Sequence, residues 1–164
     1  MSSSTEGATR WLSATEQLAW RRLAAVLLTL PASMDAQLQR DAGLTLFDYL
    51  VLSTLSEEPG RVCRMGVIAT RTSSSLSRLS HVVSKLEAKD WVTRQPLAGN
   101  RRVTMVTLTD SGMRKVVDSA PAHAEHVREA VFDVLSTEQV DQISAIGAAL
   151  LTRLDPGHQI PQTC

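Results

Sequence analysis

The side chains with the clearest chemical capability lie between Ser75 and Trp91. This stretch, SLSRLSHVVSKLEAKDW, has apolar residues at helical spacing and therefore predicts an amphipathic helix with one exposed polar face. Hydroxyl groups beside an arginine and a histidine can hydrogen-bond to base edges and phosphates in a DNA major groove. The candidate residues for such contacts, with those of the preceding turn, are Ser73, Ser74, Ser75, Ser77, Arg78, Ser80, His81 and Lys85.

The distribution of charge favours an anionic partner in one region of the chain. The 164 residues carry a formal net charge of zero, but the segment 61–102 holds nine Lys or Arg against Glu87 and Asp90, a local net charge of +7. Local rather than total charge governs binding to phosphates. The nine basic residues are Arg61, Arg64, Arg71, Arg78, Lys85, Lys89, Arg94, Arg101 and Arg102.

Two neighbouring patterns would position the polar helix. Residues 65–71 predict a short helix, and a turn at 72–74 joins it to the helix that starts at Ser75, which together form a helix-turn-helix pattern. An earlier helix at 45–55 and a short strand at 61–63 precede this pair. The Ser75 helix is thus predicted to be the second, exposed member of a helix-turn-helix.

A β-hairpin is predicted directly after the helix-turn-helix. Strands at 92–97 and 102–108 are joined by Ala98-Gly99-Asn100, and Pro96 marks the first as an edge strand. Such a hairpin is a wing, and its tip carries Arg101 and Arg102, which could reach phosphates or a minor groove.

Long helices flank this central region. Ser13 and Glu16 form a capping box that starts a helix with a wide apolar face, which Pro31 should kink or break. A second long helix starts at Thr109, and its valines and alanines recur at alternating steps of four and three, the period of paired helices. Pro121 predicts a bend or a split in it. Another capping box, at residues 136–139, opens the last helix.

With this order of elements, the chain resembles the MarR family of bacterial winged-helix regulators from about residue 13 to 154. The most specific matches are SRLSHVVSKLE at residues 77–87, Trp91-Val92-Thr93-Arg94 where members usually carry Gly-Leu-Val-x-Arg, and Leu108-Thr109-x-x-Gly112. Asp90 and Trp91 replace the usual Gly-Leu pair. The family wing commonly reads Asp-x-Arg, whereas this chain has Asn100-Arg101-Arg102, so the brace from Asn100 to the wing arginine should be weaker.

The resemblance implies a mainly α fold with a small β wing, in which a winged helix-turn-helix domain is joined to a helical dimerisation stem. The implied organisation is a disordered tail at 1–12, an N-terminal dimerisation helix at 13–42, a DNA-binding domain at 43–109, C-terminal dimerisation helices at 110–155 and a loose tail at 156–164. Recognition helix 75–89 would enter the major groove and Arg102 the minor groove. The expected dimerisation residues are Leu18, Leu23, Val117, Val127, Val131, Ile143 and Leu150.

The implied function is that of a transcriptional regulator, commonly a repressor, which binds a pseudo-palindromic operator as a homodimer. Many family members respond to a small aromatic ligand, and Trp20 and Tyr49 could line a pocket for one, although a core role is the more common one for such residues. No cofactor, metal or membrane partner is expected. The alternative is a winged helix that binds protein without specific DNA binding.

Other chemistries are less well supported by the sequence. His123 and His126 flank Glu125, but no further Cys or His lies at metal-ligand spacing, so a solvated helix face is expected. Cys63 is expected to be a small buried residue of a strand rather than a reactive thiol. Two cysteines in all fit the reducing cytoplasm. Neither a phosphate-binding glycine loop nor a nucleophile with a placed base indicates an enzyme.

Overall fold

The computed structural model describes residues 9–155. Residues 1–8 and 156–164, which make up most of the two predicted tails, lie outside the described residues. A mainly helical chain with one small sheet confirms the predicted fold class. The helices and strands in chain order are α1 (Ala14–Ala42), α2 (Leu46–Ser56), β1 (Val62–Arg64), α3 (Met65–Arg71), α4 (Leu76–Glu87), β2 (Val92–Leu97), β3 (Asn100–Leu108), α5 (Asp110–Val127) and α6 (Thr137–Leu154).

Helix α1 begins in a first compact unit, which ends at Ser33. The predicted capping box is present, since the Ser13 N–H donates to Glu16 Oε2 at 2.7 Å and the Glu16 N–H donates to Ser13 Oγ at 3.3 Å. Pro31 does not break the helix, which continues to Ala42, because the φ of proline is compatible with a helix even though one donor is lost. Apolar side chains stay exposed along this part of α1, namely Leu18, Trp20, Leu23, Val26, Leu27 and Leu28.

The second compact unit starts at Met34 and contains the buried core. Helix α2 starts with a capping box in which the Asp48 N–H donates to Thr45 Oγ1 at 3.0 Å and the Thr45 N–H donates to Asp48 Oδ2 at 2.9 Å. One apolar face of each helix-turn-helix element points into this core, which fixes their polar faces outward. The fully buried large residues are Leu38, Leu44, Val51, Leu52, Leu55, Ile68, Leu79, Val83, Leu86, Val92 and Val106.

The sheet has three antiparallel strands in the order β1-β3-β2. Strand β2 is therefore an edge strand, as Pro96 predicts, and Pro96 pairs with Thr104. The register then shifts so that Leu97 pairs with Asn100, which leaves a tighter turn than the predicted three-residue one. Gly99 supplies the positive φ of +80° that this turn requires.

The connection from α4 to the sheet explains two features of the sequence. Helix α4 ends at Glu87 rather than 89, and Asp90 then takes a left-handed φ of +58°, the conformation for which the family usually has glycine at this place. A Cβ on Gly112 would lie 2.1 Å from the Trp91 carbonyl oxygen, so only glycine allows α5 to start this close to the turn. Thr109 caps α5 and its hydroxyl also donates to the Asp90 carbonyl at 2.7 Å.

Helix α5 differs from the predicted regular helix at its end. Pro121 lies inside α5 without splitting it, but a π-helical segment, Arg128–Phe132, follows Val127. The wider turn of a π-helix changes the direction in which successive side chains point, so the four-and-three spacing does not continue on a regular α-helix past Val127. Further along, Ser136 and Gln139 form the predicted capping box of α6.

Several apolar side chains of α5, α6 and the connecting segment are exposed in the single chain. They include two of the predicted C-terminal dimerisation residues on α6, Ile143 and Leu150, and Val117 on α5, whereas Val127 and Val131 are half-buried. None of the helices within residues 9–155 combines the length and the hydropathy needed to cross a membrane. The exposed set also includes Phe132, Val134, Ile146 and Leu154.

Candidate nucleic-acid interface

Helix α4 presents the polar face that the sequence predicts. Ser75 is its N-cap, and its Oγ accepts a hydrogen bond from the Arg78 N–H at 3.2 Å. Leu79, Val83 and Leu86 are fully buried. The opposite face therefore points to solvent, and its exposed residues are Ser77, Arg78, Ser80, His81 and Lys85.

The turn before α4 is held by hydroxyl groups. Thr72 Oγ1 donates to the Ile68 carbonyl at 2.8 Å and lies 3.0 Å from Ser74 Oγ. Ser73 is exposed and has a left-handed φ of +47°. Of the three serines predicted to contact DNA here, Ser73 and Ser75 are exposed, whereas Ser74 is half-buried and its hydroxyl is already engaged.

Arg78 is exposed, but its guanidinium is oriented. The Arg78 Cζ lies 4.2 Å from the centroid of the Phe47 ring, within the range of a cation–π interaction. This contact holds the side chain beside α2 and lowers the entropy it would lose on binding a base or a phosphate.

Lys85 has a structural partner that the sequence did not reveal. Its Nζ lies 2.5 Å from Oδ2 of Asp48, whose side chain is 1% exposed, while that of Lys85 is 41% exposed. Burial alone would raise the pKa of Asp48, but the hydrogen bonds from Lys85 and Thr45 outweigh it and hold the pKa below its usual value. Lys85 thus neutralises a buried carboxylate and links α4 to α2.

A second ion pair links the end of α4 to the sheet. Arg94 Nε and Nη2 donate to Glu87 Oε2 at 2.9 and 2.5 Å, and the Arg94 N–H donates to Glu87 Oε1 at 3.1 Å. The hydrogen bonds from Arg94 lower the pKa of Glu87. This arrangement fixes the angle between α4 and the edge strand of the wing, and it explains why an arginine is useful at position 94.

The wing arginines are exposed at the tip of the hairpin, as predicted. Asn100 Oδ1 accepts a hydrogen bond from the Arg102 backbone N–H at 3.1 Å. Asn100 therefore braces the backbone of the wing rather than the guanidinium, which leaves the Arg101 and Arg102 side chains extended into solvent.

A groove of about 510 Å³ lies between β3 of the wing on one side and the N-terminal parts of α3 and α4 on the other, with residues 65–67 of α3 among its lining. Ser80 of α4 and Arg102 of β3 both line it, so the structure brings together one predicted residue from the helix and one from the wing. Arg64, at the end of β1, lines the same groove. In the sequence, Arg64 is only one of nine basic residues of the central segment. Its local pattern does not show that β1 places it in a groove beside α4.

Ion pairing divides the nine basic residues of the central segment into two groups. Arg61, Arg71, Lys85 and Arg94 pair with Asp110, Glu58, Asp48 and Glu87 respectively. The others have no carboxylate partner within residues 9–155, although Lys89 Nζ lies 4.6 Å from the centroid of the Trp91 ring. The positive surface is therefore smaller than the sequence suggests and consists of Arg64, Arg78, Lys89, Arg101 and Arg102.

Trp20 and Tyr49, the two predicted effector residues, differ in their exposure to solvent. Trp20 is 56% exposed on α1. Tyr49 is half-buried, and its ring centroid lies 4.6 Å from that of His123. Burial, and then the charge of Glu57, raise the pKa of Tyr49, so its hydroxyl stays protonated at neutral pH. Neither residue lines the groove between α4 and the wing.

His123 is engaged in a hydrogen-bond network. Its Nδ1 lies 3.0 Å from Oε1 of Gln37, which is 2% exposed, and Gln37 Nε2 donates to Asp41 Oδ2 at 3.0 Å. Because an amide oxygen only accepts, Nδ1 carries the proton. No group of three or more His, Cys, Asp or Glu in the described part of the chain is arranged to hold a metal ion.

Cys63 is buried on β1, as expected for a small apolar residue. Burial, and then the charge of Glu58, raise the pKa of its thiol. A thiol of raised pKa is mostly protonated at neutral pH, and the thiolate is the reactive form. This environment fits a packing role.

Several solved protein structures are similar to this chain in sequence and in fold. The profile of the MarR family matches residues 42–103. The structure of Sco3205, a MarR family transcriptional regulator from Streptomyces coelicolor in complex with DNA, is 38% identical with a TM-score of 0.88 and covers 94% of this chain and 98% of that one. AbsC, a MarR family transcriptional regulator from the same organism, is 36% identical with a TM-score of 0.79 and covers 87% of this chain and 98% of that one.

A curated relative matches over a shorter region. The transcriptional repressor MprA of Escherichia coli (strain K12) is 24% identical over 111 residues. The match covers 68% of this chain but only 62% of MprA, so it spans less than two thirds of that protein.

Proposed function

The chain belongs to the MarR family of transcriptional regulators, and we propose that it represses transcription by binding a pseudo-palindromic operator as a homodimer. The observation that carries this proposal is the groove between α4 and the wing, where a polar helix face meets arginines without carboxylate partners in the described part of the chain. The structure of Sco3205, which is in complex with DNA, supports DNA binding here.

In the proposed complex, α4 enters the major groove and the wing enters the adjacent minor groove. The exposed side chains of Ser77, Arg78 and His81 read base edges, because short donors and acceptors on a helix face can reach them. Arg102 reaches the minor groove, where a narrow width concentrates negative potential. Ser73, Ser75, Ser80 and Arg101 contact phosphates or sugars, which position the protein without reading sequence.

Exposed apolar side chains support the homodimer. The first part of α1 exposes Leu18 and Leu23, and helices α5 and α6 expose Val117, Ile143 and Leu150. Burying such side chains against a second copy yields about 25 cal/mol per Å² of apolar area. A two-fold axis would then present two copies of α4 to half-sites about one helical turn apart.

Two finer points complete the proposal. A small aromatic effector would release the DNA, and Trp20 and Tyr49 remain our candidates for contacting it. A chromosomal operator places the protein in the cytoplasm. The competing function, a winged helix that binds protein, gives no role to Arg101 and Arg102 of the wing, which have no carboxylate partner among the described residues.

The test is a gel-shift series with DNA from upstream of the chain's own gene, at salt concentrations from 50 to 300 mM. We expect affinity to fall steeply with salt because bound phosphates release counterions. Arg102→Ala should weaken operator binding by about 1–3 kcal/mol, the scale of one lost readout position, without changing the oligomeric state. A flat salt response would remove the DNA proposal and favour the protein-binding alternative, and a larger loss for Arg101→Ala would shift the minor-groove role to Arg101.

A further inference from the structure

The groove between α4 and β3 has the chemistry of a site for a phosphate chain. Arg64 and Arg102 line it from the sheet side, and Ser80 lines it from the helix side. None of its lining residues in the described part of the chain is acidic, and neither arginine has a carboxylate partner there. Apolar side chains, including Leu76 and Val103, complete the lining and offer contacts to sugar rather than to phosphate.

The two arginines differ in how firmly they are held. Arg102 lies near the tip of the hairpin, where its backbone is braced by Asn100. Arg64 is the last residue of the edge strand β1, where it pairs with Met105 of β3, and it occupies the N-cap position of α3 without a side-chain capping hydrogen bond. Its backbone is therefore fixed on both sides, so less conformational entropy is lost when its side chain binds a ligand.

We propose that this groove holds the DNA backbone that separates the major groove from the minor groove, and that Arg64 binds one of its phosphates. The inference rests on the proposed function. If α4 occupies a major groove and the wing the next minor groove, one sugar-phosphate backbone must pass between them. The groove that Arg64 lines lies between β3 and the N-terminal parts of α3 and α4, and therefore lies where that backbone would pass.

A phosphate contact predicts a measurable effect of known size. Each contact contributes about 0.9 to the slope of log K against log salt, which corresponds to roughly eightfold in affinity per protomer at 0.1 M salt. Arg64→Ala should lower the affinity for operator DNA and for unrelated duplex DNA by the same factor, because phosphates carry no sequence information. Arg64→Lys should keep the charge and most of the slope.

The experiment measures binding of the full chain to fluorescent duplexes by anisotropy over a salt series. Arg114→Ala, an exposed arginine on α5 that does not line the groove, is the matched control. Arg64→Gln repeats the test with an uncharged polar side chain that keeps part of the aliphatic stem, and circular dichroism confirms that each variant is folded. An unchanged slope in both Arg64→Ala and Arg64→Gln would overturn the inference, and so would a loss confined to the operator.

A second arm locates the phosphate. Operator duplexes that carry one neutral methylphosphonate at successive positions should include one position per half-site where neutralisation weakens the wild type but not Arg64→Ala. We expect this position between the bases read by α4 and those covered by the wing. If the wild type binds no DNA, the proposed function fails; if it binds and no such position exists, only the assignment of Arg64 fails.

Discussion

Replacing Lys85 with methionine should destabilise the protein rather than weaken its contact with DNA. In the folded chain, Asp48 Oδ2 receives hydrogen bonds from Lys85 Nζ at 2.5 Å and from the Thr45 N–H at 2.9 Å. Asp48 Oδ1 is buried and has no hydrogen-bond partner among the described residues. Lys85→Met therefore leaves a buried carboxylate with no cation beside it.

The size of the effect can be bracketed from the exposure of the two partners. Removing one partner of a fully buried ion pair costs about 3–5 kcal/mol, whereas exposed pairs contribute less than about 1 kcal/mol. The Asp48 side chain is 1% exposed and that of Lys85 is 41% exposed, so solvent screens the pair from one side only. We expect Lys85→Met to lower the free energy of unfolding by about 2 kcal/mol, between these limits.

The assay is urea unfolding at pH 7 and at one protein concentration, because a dimer makes apparent stability depend on concentration. Lys89→Met is the matched control, since Lys89 Nζ lies 4.6 Å from the centroid of the Trp91 ring and has no carboxylate partner among the described residues, so its loss should cost less than about 1 kcal/mol. Lys85→Arg keeps a cation beside Asp48 and should retain most of the stability. The salt slope of DNA binding should be the same for wild type and Lys85→Met.

The pH dependence gives an independent check. The pKa of Asp48 is held below its usual value, so the stabilisation by the pair is present above that usual value and is lost as pH falls through the lowered pKa. The difference between wild type and Lys85→Met should therefore vanish in strong acid. The reasoning is refuted if Lys85→Met loses no more stability than Lys89→Met and instead lowers the salt slope by about 0.9 per protomer, which is the behaviour of a phosphate contact.

Two other predictions concern the stem and the buried histidine. Val117→Glu should leave a folded monomer, because Val117 is 55% exposed in the single chain but would bury an unpaired charge in the proposed dimer; an unchanged dimer in sizing chromatography would contradict this. Burial, and then the charge of His126, lower the pKa of His123, so the unfolded state takes up protons more readily and stability should fall as pH drops below about 6.5. His123→Gln should flatten this dependence between pH 7.5 and 5.5 in urea unfolding, and an unchanged dependence would contradict the prediction.

The starts of three helices could be predicted because local side chains determine them. The capping boxes at Ser13, Thr45 and Ser136 are formed by residues three positions apart, and each starts a helix where the sequence indicates. The wing could also be predicted from local residues, because Gly99 lies at the turn between two segments with strand patterns. The departure from a regular helix after Val127 had no such local signal, and neither Pro31 nor Pro121 interrupts its helix.

The partners of the charged residues could not be predicted, because they depend on the fold. Lys85 pairs with a carboxylate 37 positions earlier, and Arg71 with Glu58. In the sequence, Lys85 is simply one more cation on a recognition helix. Arg64 is the converse case, since only the pairing of β1 with β3 reveals that it lines the groove.

These ion pairs also limit how steeply salt can weaken DNA binding. Five of the nine central cations lack a carboxylate partner in the described part of the chain, so a dimer has at most ten such cations for phosphates. The slope of log K against log salt should then be no steeper than about −9. A steeper slope would require either cations outside residues 61–102 to contact phosphates or a pair such as Arg94 with Glu87 to open on DNA. Because that pair joins α4 to the wing, its opening would mean that the protein changes the angle between its two reading elements when it binds.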